Sequence, residues 1–163
     1  MGIDLPGELA DLLNELGYTW PKADETQLFE LAQEWIGLGD RLAPMAHEAS
    51  GLVATLTAGN QGAAVEAFQA KWHADKSAAN VLTRGATGAT VLGGALLVCA
   101  AVVLALKINV IVQLTILLIQ IIQAVATAAP TFGASLLEIP VFKKLTDILI
   151  NILVDQAIGQ ILG

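Results

Sequence analysis

The chain has 163 residues, 55% hydrophobic but only 5% aromatic, with 15 acidic against 8 basic side chains and a net charge of −7. The basic residues are scattered, which excludes a nucleic-acid partner, because a phosphate backbone is held by clustered Lys and Arg. The single cysteine, Cys99, can close no internal disulfide and build no metal site, and within its Ala/Val/Leu run it reads as a small core residue.

Charge is unevenly distributed. Residues 1–84 hold most of it, whereas residues 85–163 carry only Glu138, Asp147, Asp155, Lys107, Lys143 and Lys144. The start of the chain has no basic stretch leading into an apolar one, so it predicts export without a cleavable signal peptide. Pro6 stands where a myristoylation start needs Ser or Thr.

Leu9, Leu12, Leu13 and Leu16 share one face of a short helix beginning near Asp4, with Pro6 tolerated in its first turn and Gly17 placed to end it. Asp24 is a good cap for a second helix, in which Leu28, Phe29, Leu31, Ala32, Trp35, Ile36 and Leu42 recur at helical spacing. Pro44 is expected to kink or split that helix, which continues to a turn at Gly59-Asn60-Gln61-Gly62. Residues 63–84 read as a further helix, with Asp75 fitting its apolar side poorly, so residues 24–84 are expected to form an antiparallel hairpin.

Residues 85–106 carry no charge, Lys107 follows, and residues 108–129 again carry none before Pro130. Each run alone is long enough to cross a bilayer. Two spans would need a turn between them, and Ala-Leu-Lys-Ile-Asn-Val offers neither Gly nor Pro, so one continuous helix is the better reading. It would be roughly 67 Å long, about twice the thickness of a bilayer core. Gly85, Ala89 and Gly93, spaced by four, would let another helix approach closely or would serve as a flexible joint. Asn109, Gln113, Gln120, Gln123 and Thr127 form a polar stripe on the second run. Three readings of it stand open: a solvent-facing strip, hydrogen-bonded glue between subunits, or the lining of a water-filled pore. Residues 141–162 read as a last amphipathic helix.

The fold class is therefore all-α, divided into residues 1–84, a helical hairpin preceded by a short helix, and residues 85–163, a hydrophobic helical region. No catalytic residue, cofactor site or metal site is expected, because neither His47 nor His73 has neighbours at triad or ligand spacing.

Trp20-Pro21 followed by Asp24-Glu25, Leu28, Leu31-Ala32 and Trp35, then the Gly59 to Gly62 turn leading to Ala64, Glu66-Ala67-Phe68 and Trp72, resembles the WXG100-like N-terminal domain of actinobacterial type VII-secreted polymorphic toxins. The resemblance extends through the apolar stretch to Phe132-Gly133-Ala134-Ser135 and Ile139-Pro140. It implies a helical-hairpin trafficking module at the head of a longer toxin, exported by an ESX-like system and either self-associating or bound to small helical partners. Asn60 replaces the tryptophan of the family's Trp-x-Gly turn, while Gly62 keeps its place. No Tyr-x-x-x-Asp/Glu export signal follows the second helix, so a partner is expected to supply it. In this reading Gly59, Asn60 and Gly62 make the hairpin turn, and Trp20, Trp35, Phe68 and Trp72 are the interface anchors. The expected localisation is secreted or associated with the cell envelope or membrane. The alternative function is a module that inserts residues 85–129 into a membrane and forms a pore for toxin translocation.

Overall fold

A computed structural model describes residues 2–162, and every regular element among them is helical. Helix α1, Gly7–Glu15, starts behind Pro6, whose carbonyl accepts the N–H groups of Leu9 and Ala10. Helix α2, Glu25–Gly59, is capped by Asp24, whose Oδ1 accepts the N–H of Thr26 at 3.0 Å and of Gln27 at 3.1 Å. Pro44 does not split this helix. Pro44 and Asp40, the residue whose carbonyl loses its usual donor, both lie on the exposed side, where water is available to that carbonyl.

The helix predicted over residues 63–84 is in fact two. Helix α3, Ala63–Trp72, ends at a break that contains Asp75, and helix α4, Ala78–Ala126, begins after it. Ser77 makes the new start: its Oγ accepts the N–H of Asn80 at 3.2 Å, while Asn80 Nδ2 donates back to the Ala74 carbonyl at 2.9 Å. From there α4 runs unbroken for 49 residues, about 74 Å, through Gly85, Gly88, Gly93 and Gly94. The single long apolar helix read from the sequence therefore exists, but it begins seven residues earlier than residue 85.

After α4, Phe132 at φ 52° and Gly133 at φ 84° reverse the chain. A short 3-10 turn, Ala134–Glu138, leads into α5, Ile139–Leu162, with Pro140 tolerated in its first turn.

Two compact units divide the chain: residues 1–27 with 98–163, and residues 28–97. The boundary read from the sequence, after residue 84, falls within α4 and within the second of these.

In the first unit, Leu9, Leu12 and Leu13 of α1 meet Val110, Leu114 and Leu117 of α4 and Ile150 of α5. Leu114, Leu117 and Ile150 are the largest fully buried side chains among the described residues. Each contributes about 1.5–3 kcal/mol of apolar burial. Helix α5 runs back along α4, so that Leu153, Gln156 and Ala157 lie beside Val102, Ala105, Leu106 and Asn109. Nearer the reversal, Ser135 Oγ donates to the Ala124 carbonyl at 2.7 Å.

In the second unit α2 and the first part of α4 are antiparallel, with Ile36 against Gly93, Gly39 against Ala86 and Thr90, and Leu42 nearest Gly85. Its buried apolar residues are small: Ala32, Ala46, Ala86 and Ala89. Its large ones are half-buried, as Ile36 and Leu42 are, or lie outside, with Leu52 and Val91 each 67% exposed.

Candidate interaction site

The hairpin turn sits between α2 and α3. Asn60 Nδ2 donates to the Leu56 carbonyl at 2.7 Å, satisfying an acceptor that the end of α2 leaves open. Gly62, at φ 118°, takes a conformation that a side chain would resist, and its carbonyl accepts the N–H groups of Val65 and Glu66 in the first turn of α3. Gly59 closes α2.

The four aromatic anchors do not gather at one place. Phe68 and Trp72 stack on α3 with ring centroids 6.1 Å apart, and Phe68 is 40% exposed. Trp35 is half-buried on α2. Trp20 belongs to the other unit, packing against its leucine core and donating its indole N–H to the Ile3 carbonyl at 3.2 Å. Of the three small residues singled out on α4, Ala89 and Gly93 are buried against α2 and Gly85 is exposed. A Cβ on Gly93 would lie 2.8 Å from the Ala32 carbonyl, so the two backbones touch there. Gly39 makes the matching close approach from α2, and the sequence reading did not single it out.

The polar stripe lies along the flank of α4, not in the core. Gln113 and Gln120 are half-buried, while Asn109, Gln123 and Thr127 are exposed. Asn109 Nδ2 donates to the Ala105 carbonyl, and Thr127 Oγ1 to the Gln123 carbonyl. The four threonines of α4, Thr83, Thr87, Thr90 and Thr115, likewise return their hydroxyls to the carbonyl four residues earlier, at 2.7–3.2 Å. Cys99, expected as a core residue, is only half-buried.

A buried ion pair escaped the sequence reading. Lys107, 3% exposed, donates to Glu25 Oε2 at 2.7 Å and lies 5.8 Å from the Trp20 ring centre. Glu25 also accepts the N–H of Ile3. Burial alone would raise the Glu25 pKa, but the hydrogen bonds from Lys107 and from the backbone of Ile3 and Glu25 outweigh it and hold the carboxyl below its ordinary range. The signal was present: a lone Lys in an apolar run must find a partner. The partner, 82 positions away, was not visible. Elsewhere in this unit Tyr18 donates its hydroxyl to Asp147 Oδ1 at 2.9 Å. Burial, then this bond, pushes the Tyr18 pKa up, while Lys144, then Tyr18, hold that of Asp147 down.

This arrangement supplies surfaces for packing: long helices, small-residue contacts and exposed aliphatic faces. Among the described residues no three His, Cys, Asp or Glu side chains are grouped to hold a metal. The WXG100-like domain profile matches residues 3–143. The chain belongs to the WXG100-like domain family. The match spans α1 to α4 and enters α5, so it takes in both compact units and the whole apolar helix. WXG100-like domains are parts of secretion-associated helical proteins, and members of the family typically pair with helical partners. No curated protein and no solved structure matches the chain significantly.

Proposed function

We propose that this WXG100-like chain is a non-enzymatic interaction module of a type VII-secreted toxin, carried through secretion with its apolar helix faces covered by a small helical partner or another copy. The observation that carries this reading is the inverted burial of the second unit. Its two antiparallel helices close over alanine and glycine, while Leu31, Met45, Leu52, Leu56, Val81 and Val91 remain 43–67% exposed. Such a hairpin is half of a bundle, and a second helical pair laid on it would bury these side chains.

Co-expression with a helical WXG100-like partner, followed by light-scattering chromatography without detergent, tests the proposal. A defined complex that Leu52→Asp dissociates supports it. A chain that stays monomeric and soluble alone, and takes no partner, refutes it.

A second reading, insertion into a membrane, draws on α4 and on residues 134–162. Both are long and apolar enough to cross a bilayer, and only 28% and 11% of their most apolar windows are buried. At the reversal between them Phe132 is fully exposed. Leakage from liposomes, abolished by Phe132→Asp, would favour this reading.

A further inference from the structure

Within the first unit, the start of the chain lies across α4 and α5 and is held there in two ways. Leu9, Leu12 and Leu13 of α1 fill the core against Leu114, Leu117 and Ile150. Glu15, Tyr18 and Glu25 add polar contacts, each with a carboxylate on one side. Lys107 of α4 donates to Glu25, Lys143 of α5 pairs with Glu15, and Tyr18 donates to Asp147 of α5. The contacts between α4 and α5 are of another kind. Leu114 and Leu117 meet Ile150, Leu153 and Ala157 lie beside Val102 and Leu106, and Ser135 Oγ bonds the Ala124 carbonyl. None of these groups titrates, so a fall in pH acts on the attachment of the first residues and leaves the pairing of α4 with α5 alone.

The three carboxylate contacts differ in weight. The Glu15–Lys143 pair is partly in water, and Asp147 is shared with the exposed Lys144 at 2.6 Å, so both are screened. Glu25 and Lys107 are both buried. Around Glu25 stand Lys107 from α4, the N–H of Ile3, and Gly2, whose added Cβ would lie 2.8 Å from Oε2. Asp4, Trp20, Lys22 and Asp24 complete the wall beside Lys107. Around Tyr18 the charges are Asp147 and Asp155 of α5. Once Glu25 is neutral, Lys107 is a buried ammonium with no counter-charge, a state that costs several kcal/mol and is relieved by admitting water.

We propose that residues 2–24 form an acid-sensitive strap: protonation of Glu25 shifts α1 toward release from α4 and α5, while those two helices stay paired. Water reaches Lys107 when the strap lifts, and the faces of Leu114, Leu117 and Ile150 that α1 covers are uncovered with it. Helix α1 has nine residues, too few to hold its shape alone, so its amides lose protection on release. The device acts inside one chain and is independent of what covers the outer faces discussed above.

Hydrogen exchange of the full chain, read by mass spectrometry and corrected for the intrinsic effect of pH, tests it. As pH falls from neutral to below 4.5, the ordinary glutamate value, protection at residues 9–16 should drop on the order of 100-fold while residues 110–121 keep theirs. Glu25→Gln should bring that loss to neutral pH. Glu25→Gln with Lys107→Met, which leaves no buried charge to rescue, should hold α1 closed and remove the steep part of its pH dependence. Residues 9–16 and 110–121 losing protection together would mean plain acid unfolding and would overturn the strap. So would an α1 that stays protected at every acid pH at which the chain keeps its helicity, or a double variant that opens as steeply as the original chain.

Discussion

Replacing Lys107 by Met tests how the one charge within residues 85–129 is held. Lys107 and Glu25 are 3% and 7% exposed, so neither is screened by water in the folded chain, and removing one leaves the other buried without its counter-charge. Breaking such a pair costs about 3–5 kcal/mol. The lower figure is expected for Lys107→Met, because Glu25 keeps the Ile3 N–H and its place at the positive end of α2. About 3 kcal/mol is a large part of the 5–15 kcal/mol that stabilises a typical domain, and it lowers Tm by roughly 6–12 °C in a chain of this size. Glu25→Gln should cost at least as much, since it strands an ammonium group whose remaining neighbour is the Trp20 ring. The double variant should recover most of the loss, giving a coupling of about 2 kcal/mol or more. Urea unfolding followed by far-ultraviolet circular dichroism measures all four chains. Single variants that each cost under about 1 kcal/mol, or costs that simply add, would refute the account.

The interhelical glycines give a contrast of sign. Gly93→Ala should destabilise by about 1–3 kcal/mol, because its Cβ would lie 2.6 Å from Ile36 Cγ1 and 2.8 Å from a backbone carbonyl. Gly88→Ala, which meets nothing within 4 Å, should stabilise the helix by about 0.5–1 kcal/mol in thermal melts. Acid should loosen the first unit. The folded Glu25 carboxyl titrates below its ordinary 4.5, so the pair's contribution is complete above that pH and is lost as pH falls through the lower folded value. Asp24 and Asp147 shift the same way, and Glu25→Gln should flatten part of the decline in urea midpoint.

Features set by neighbouring residues were legible in the sequence. The Asp24 cap, the turn at Gly62 and the unbroken apolar helix all follow from short-range preferences. The break at residues 73–77 was missed because the apolar spacing of Trp72, Ala79 and Leu82 bridges it, although Ser77 and Asn80 carry the cap that makes it. The Lys107–Glu25 pair and the Gly39 approach depend on residues far apart in the chain, and no local pattern reports them. A helix apolar on nearly every side also hides which face is covered. Periodicity alone could not separate the Leu114 side from the Ile119 side; burial did.

The self-bonded threonines of α4 bear on how freely that helix can change surroundings. A hydroxyl dependent on water for its hydrogen bond resists leaving it, at a cost of about 1–3 kcal/mol each. Thr83, Thr87, Thr90 and Thr115 have already made their donor bond within the helix, so dehydration takes little from them. These four hydroxyls therefore place almost no toll on a change of covering, and the cost of drying α4 falls on the exposed or half-buried amides of Asn109, Gln113, Gln120 and Gln123 and on Arg84.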